Sequence, residues 1–154
     1  MTEATTAPTI RPLGQPGDLG WVVQAHGEIY AREFGWDSTF EALVLQIVAD
    51  FAAGHDPARE AAWIAESAGR RVGCVFCVAG DASTARLRIL LVDPAARGQG
   101  VGARLLDRCL EFARAAGCRV VLIPGGSRTR EELSELAPDA FLDSISELPA
   151  WLRG

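Results

Sequence analysis

The stretch from Ile89 to Gly102 constrains this chain more than any other. It reads Ile-Leu-Leu-Val-Asp-Pro-Ala-Ala-Arg-Gly-Gln-Gly-Val-Gly. Ile89 to Val92 are apolar in succession, as in a strand buried on both faces. Pro94 then breaks the ladder, and Arg97 leads into glycines at 98, 100 and 102. Val101, Leu105, Cys109, Phe112 and Ala116 follow at helical spacing until Gly117 stops the helix. A strand feeding a glycine loop that opens a helix gathers backbone N–H groups into one concavity. That concavity lies at the positive end of the helix dipole and suits a pyrophosphate. Glycines at Gly98, Gly100 and Gly102 let the backbone approach without a Cβ in the way. The dipole adds about 0.3–1 kcal/mol for an exposed anion. Arg97 is either a phosphate partner or a brace for the loop.

The chain before this loop reads as two helices and a meander. Thr9 to Leu13 is a short extended segment broken by Pro12, expected as an edge strand. Pro16-Gly17-Asp18 turns the chain, and Asp18 is placed to cap a helix running from Leu19 to about Phe34. A second helix is predicted from Asp37 or Ser38, with Phe40, Leu43, Val44, Ile47, Val48 and Phe51 on its apolar face. Gly54-His55-Asp56-Pro57 ends it. Three strands follow at Ala61–Glu66, Arg71–Ala79 and Ala85–Val92, with Gly69 and Gly80-Asp81 in the connections, which predicts an antiparallel meander. Beyond the loop helix, Arg119 to Ile123 reads as a strand parallel to Ala85–Val92.

At 154 residues and 49% hydrophobic the chain is expected to form one domain over 9–154, behind a flexible leader at 1–8. Its net charge of −5 argues against a general nucleic-acid-binding surface. No stretch approaches the roughly 18 apolar residues of a membrane span, and the N-terminal residues lack signal-peptide regions. A cytoplasmic location is expected. Cys74 and Cys77 form a C-x-x-C, but on a strand that spacing sends the thiols to opposite faces. Neither a redox motif nor a metal site results, and buried reduced thiols are expected there and at Cys109 and Cys118.

The residues Val92-x-Pro94-x-x-Arg97-Gly98-x-Gly100-x-Gly102 resemble the acetyl-CoA loop of the GNAT N-acetyltransferases. The order helix–helix–meander before it matches the N-terminal half of that family. Gly20-Trp21-Val22-Val23, Tyr30 to Asp37 and Phe40-Glu41-Ala42-Leu43 are similar to the acetyltransferase half of bacterial proteins that join a MarR-type regulator to such a domain. The resemblance covers about residues 9–117. It implies an α/β (α+β) three-layer fold with a mixed, mainly antiparallel central sheet flanked by helices. A Rossmann loop is the nearest rival, but G-x-G-x-G is not its G-x-G-x-x-G, and the meander argues against a parallel dinucleotide fold.

The resemblance further implies acetyl-CoA as cofactor, held by Leu91, Val92, Arg97, Gly98, Gln99, Gly100, Val101, Gly102 and Ala103. Pantetheine would lie along the strand ending at Val92, whose N–H is the candidate oxyanion contact. The attacking amine must lose a proton, so a carboxylate or water chain is needed nearby. The strand itself offers only Arg86 and Arg88. Glu28, Glu33 and Asp37 lie on the helix pair that borders the acceptor site in the family, and Glu33 is the candidate base or substrate contact. Trp21 and Trp36 are candidate pocket walls or core residues. His26 reads as a half-buried helix residue, and His55 as a loop residue.

From about Gly117 the pattern departs from the family. The expected tyrosine-bearing helix and final hairpin have no counterpart, and the one tyrosine is Tyr30. Residues from about 113 to 154 instead resemble the C-terminal end of haloacid dehalogenase-like phosphatases, without that family's Asp-x-Asp nucleophile motif. A helix from Thr129 or Ser127 to Leu136, a minimal strand at Ala140-Phe141-Leu142 and a last helix through Trp151 are expected. Losing a general acid costs about 10²–10⁴-fold in rate. An uncovered sheet edge invites pairing, so a homodimer is expected. The function expected is acetyl transfer from acetyl-CoA to a primary amine on a small molecule or peptide. Two other readings stay open: a non-catalytic acyl-CoA-binding or interaction module, and a recombined or designed chain without evolved activity.

Overall fold

Alternation of side chains along the central strands determines the layers of the fold. In the computed structural model, which describes residues 7–80, 82–119, 121–122 and 140–141, strands β1 (Thr9–Pro12), β2 (Ala61–Ser67), β3 (Arg70–Ala79) and β4 (Ala85–Val92) pair in that order, each antiparallel to the next. Helices α1 (Asp18–Phe34) and α2 (Ser38–Gly54) cover one face. There Val22, Ile29, Val44 and Val48 meet Ile64, Cys74, Phe76, Ile89 and Leu91. Helix α3 (Val101–Ala115) covers the other, packing Val101, Leu105 and Cys109 against Trp63, Val75 and Cys77. Cys74 and Cys77 thus face opposite layers, and both are free and buried with Cys109 and Cys118. The predicted helix–helix–meander order holds, with bounds within a residue or two of those read from periodicity.

Three local readings are corrected. Asp18 does not cap α1: Gly17 takes that position with a left-handed backbone (φ 90°), and Asp18 becomes the first helical residue. Its carboxylate is fully buried and accepts from both outer nitrogens of Arg11, from Arg71 Nε and from the amides of Gly14 and Gln15, all at 2.8–2.9 Å. Two distant arginines outbid the local cap because they satisfy a charge that the fold has taken out of water. His26 is fully buried rather than half-buried. Its Nδ1 donates to the Val22 carbonyl at 2.7 Å, its Nε2 has no partner, and desolvation holds its pKa below 6.5. Leu43, expected on the apolar face of α2, is 52% exposed.

Of the strand predicted over Arg119 to Ile123, residues 119, 121 and 122 are described. Among the described residues a parallel bridge joins Arg119 to Thr84, just before β4, and Arg119 donates its N–H to the Ser83 carbonyl at 2.9 Å. Strand β5 (Val121–Leu122) pairs in parallel with β6 (Ala140–Phe141). The leader at 1–6 and the two helices expected between 123 and 154 lie outside the described residues.

Candidate functional site

The end of β4 and the start of α3 meet at one corner of the sheet. Register along β3–β4 shifts by one residue, because Phe76 opposes Ile89 while Cys77 opposes Leu87. Arg88 is therefore an extra residue, and such a bulge bends the strand and increases its twist. At the far end Asp93 donates its N–H to the Val72 carbonyl at 2.8 Å. Alternation in an antiparallel ladder then turns the N–H and C=O of Leu90 and Val92 away from β3, to the outer edge. Among the described residues no strand pairs with that edge beyond the bridge at Thr84.

The loop that follows is anchored before it opens. Asp93 Oδ1 accepts the Ala95 amide at 2.9 Å, capping a 3₁₀ turn at Pro94–Ala96, and Ala96 is buried against the α3 core. Gly98 and Gly100 both adopt left-handed backbone, with φ of 81° and 77°. A Cβ on either would meet nothing within 4 Å, so the space beside both glycines is open. Gly100 caps α3 without a side-chain acceptor, and the first turn of the helix closes with Arg104 N–H to Gly100 O at 3.1 Å. The amides of Val101, Gly102 and Ala103 precede that bond and carry the positive end of the dipole. A Cβ on Gly102 would stand 3.5 Å from Val92 Cγ2, so the cradle abuts the open strand edge.

Arg97 and Glu33, singled out separately in the sequence, form one ion pair. Arg97 Nη1 and Nη2 reach Glu33 Oε1 and Oε2 at 2.5 and 3.2 Å, a bidentate contact that ties the loop to the end of α1. The Glu33 carboxylate raises the Arg97 pKa in return. Glu28 takes a hydrogen bond from Gln24, and Asp37 caps α2 by accepting from the Thr39 amide at 3.0 Å. Trp21 packs at the margin of the α1–α2 core, whereas Trp36 is 47% exposed. Sequence reasoning missed the cluster around Trp36, which includes Tyr30, Phe34 and Phe40. The signal was available as four aromatic residues between positions 30 and 40.

A three-layer fold with an amide cradle beside an unpaired strand edge defines a class of domain that binds an anionic cofactor against that strand. The model of the acetyltransferase (GNAT) family matches residues 23–129, and the chain belongs to that family. The match continues past Gly117, into the stretch where the sequence pattern begins to depart. Among solved structures the chain is similar to a predicted acetyltransferase from Clostridium acetobutylicum solved with acetyl-CoA (15% identity, TM-score 0.64, covering 90% of this chain and 92% of that one). It is similar to a GNAT family acetyltransferase from Brucella melitensis in complex with acetyl-CoA (22% identity, TM-score 0.62, covering 80% of each). It is also similar to an aminoglycoside 6'-N-acetyltransferase complexed with coenzyme A (17% identity, TM-score 0.55). In that case the match covers 71% of this chain and 57% of the relative. At these identities the likeness establishes the fold. No curated protein matches the sequence significantly. No helix among the described residues is long and apolar enough to cross a membrane.

Proposed function

We propose that this chain transfers an acetyl group from acetyl-CoA to a primary amine on a small molecule or peptide. The observation that carries this reading is the junction of the open Val92 edge with the Gly98–Ala103 amides. The left-handed glycines with clear space above them fit a pyrophosphate, and Val101, Gly102 and Ala103 would donate to it along with the loop amides. Leu91 and Val92 would lie along the pantetheine arm. When bound, the cofactor supplies a thioester whose carbonyl carbon an amine can attack.

The residues of the chain then divide the work. The Val92 amide, held by the β3 pairing of Asp93 beside it, donates to the acyl oxygen as negative charge develops there; such a donor is worth about 3–4 kcal/mol. Arg97 serves as the brace, because its guanidinium is already engaged in two bonds to Glu33. Glu33 in turn positions the loop. Gln99, exposed at the loop tip, lies beside the cradle.

We read the protein as cytoplasmic, paired as a homodimer and not directed to nucleic acid, in keeping with its acidic balance. The similarity to the acetyltransferase half of MarR-linked proteins and the phosphatase-like resemblance of about residues 113–154 belong to the same reading. Thermal denaturation with millimolar acetyl-CoA tests the assignment. The wild type should melt at higher temperature with the cofactor, and Gly100→Glu should lose that shift by filling the cradle. No shift in the wild type would refute it.

A further inference from the structure

Two thiols that the proposed transfer does not use meet in the core behind the glycine loop. Cys77, on the central strand β3, and Cys109, on α3, lie in one apolar cluster with Trp63, Val75 and Leu105. Both are free, and they keep only 1% and 3% of their surface exposed. The Cys109 S–H donates to the Cys77 sulphur, which pulls the Cys77 pKa below its ordinary 9.0, while the same bond and burial push Cys109 up. Cys74 is turned to the opposite layer, where burial raises its thiol to about 12. The C-x-x-C motif thus separates its own thiols, yet it sets one of them against a third thiol from the helix.

Three features suit that contact to disulfide chemistry. The sulphurs already face each other across the strand–helix boundary. A sulphur that accepts a hydrogen bond gains thiolate character, and the thiolate is the form that attacks. A second thiol beside it intercepts the first oxidation product before it oxidises further. The segment between them, 78–108, holds β4, the 3₁₀ turn at Pro94–Ala96, the glycine loop and the first half of α3. A bond there closes a long loop around the whole proposed cofactor segment and ties α3 to β3.

We propose that Cys77 and Cys109 form a dithiol–disulfide pair, a modification site at which peroxide cross-links α3 to β3 behind the glycine cradle. The Cys77 sulphur attacks one oxygen of hydrogen peroxide and the O–O bond breaks. The departing hydroxide takes the Cys77 proton and leaves as water, with sulfenic acid left at Cys77. The Cys109 sulphur then attacks the Cys77 sulphur, the S–O bond breaks, and that hydroxide takes the Cys109 proton to leave as a second water. Both thiols are oxidised to one disulfide as one peroxide is reduced to water, and a dithiol reductant reverses the change. Because both thiols are buried, the oxidant enters when α3 lifts from the sheet, and the cross-link then holds that layer shut. The pair does not depend on the acetyl-transfer reading.

The test treats the folded, reduced chain with hydrogen peroxide, removes the oxidant with catalase, then unfolds and alkylates the chain without reductant. Two of the four cysteines should escape alkylation, and peptide mapping should find Cys77 linked to Cys109 within one chain. Dithiothreitol should restore all four thiols. Cys77→Ala and Cys109→Ala should each abolish the link, whereas Cys74→Ala should keep it. Should alanine loosen the core, the wild-type map decides by itself. Amide exchange along α3 should slow by about tenfold or more in the cross-linked chain. Four alkylated thiols after peroxide, or Cys77 carried on to sulfinic acid with Cys109 free, would overturn the proposal. So would a link between Cys74 and Cys77, between Cys109 and Cys118, or between two chains. A Cys77–Cys109 link that forms only in urea would show that the fold does not supply the contact. Unchanged α3 exchange in the linked chain would contradict the clamp.

Discussion

Replacing Asp18 with asparagine removes the charge that holds the open end of the sheet together. The carboxylate is fully buried and joins β1, through Arg11, to the start of β3, through Arg71. Arg71 adjoins Val72, whose carbonyl takes the Asp93 amide at the mouth of the glycine loop. In Asp18→Asn one oxygen still accepts from Gly14 and Gln15, but an NH₂ group faces the guanidinium groups. Removing one partner of a buried ion pair costs about 3–5 kcal/mol. Arg11 and Arg71 keep 16% and 29% of their side chains exposed, and Arg11 retains Glu66 at 2.7 Å, so water and Glu66 recover part of the loss. The expected cost is therefore at the lower end, about 3 kcal/mol at neutral pH. The pH dependence provides a second check. The Arg11 contact, with the Gly14, Arg71 and Gln15 bonds, holds the Asp18 carboxyl well below its ordinary 3.8. The unfolded chain binds the proton more readily, so the stability due to Asp18 is fully present above about pH 4 and fades as pH falls toward 2. Urea unfolding at pH 7 and at stepped acid pH should show the two proteins far apart and then converging. A loss below about 1 kcal/mol at neutral pH, or a gap unchanged in acid, would refute the reasoning.

Two further substitutions probe the corner itself. Glu33→Gln breaks the bidentate tie to Arg97 and should cost about 0.5–1 kcal/mol in unfolding free energy, with thiol release reduced by less than about tenfold. A loss of about 10²-fold or more would make Glu33 the base instead. Gly73→Ala places a Cβ 2.9 Å from the Leu91 carbonyl and 3.0 Å from Leu105 Cδ1, wedging α3 and β4 from β3. It should cost about 1–3 kcal/mol in urea unfolding and weaken acetyl-CoA binding together. Unchanged stability would show that β4 yields freely there.

Periodicity made the layers legible because burial on a strand or helix repeats locally, as in Val44, Val48 and Phe51, or Val101, Leu105 and Cys109. The glycine loop was legible for the same reason, since its strand, breaker and helix are consecutive. Asp18 was misread because its partners sit 7 and 53 residues away, and nothing local distinguishes a cap from a buried ion cluster. Glu33 and Arg97 are 64 residues apart, so their pairing also depends on tertiary placement. Trp36 and Leu43 look like core by type and spacing, yet both are exposed. The bridge of Arg119 falls at Thr84, just before β4, a register that the apolar run to Ile123 does not encode.

The most direct test is an amide ¹⁵N–¹H titration of the whole chain with acetyl-CoA. The account predicts that the amides of Val92 and of Gly98 through Ala103 shift together and saturate together, with Gly100→Glu abolishing the response. Saturable binding in which Val92 and the loop amides stay still while other residues move would contradict it.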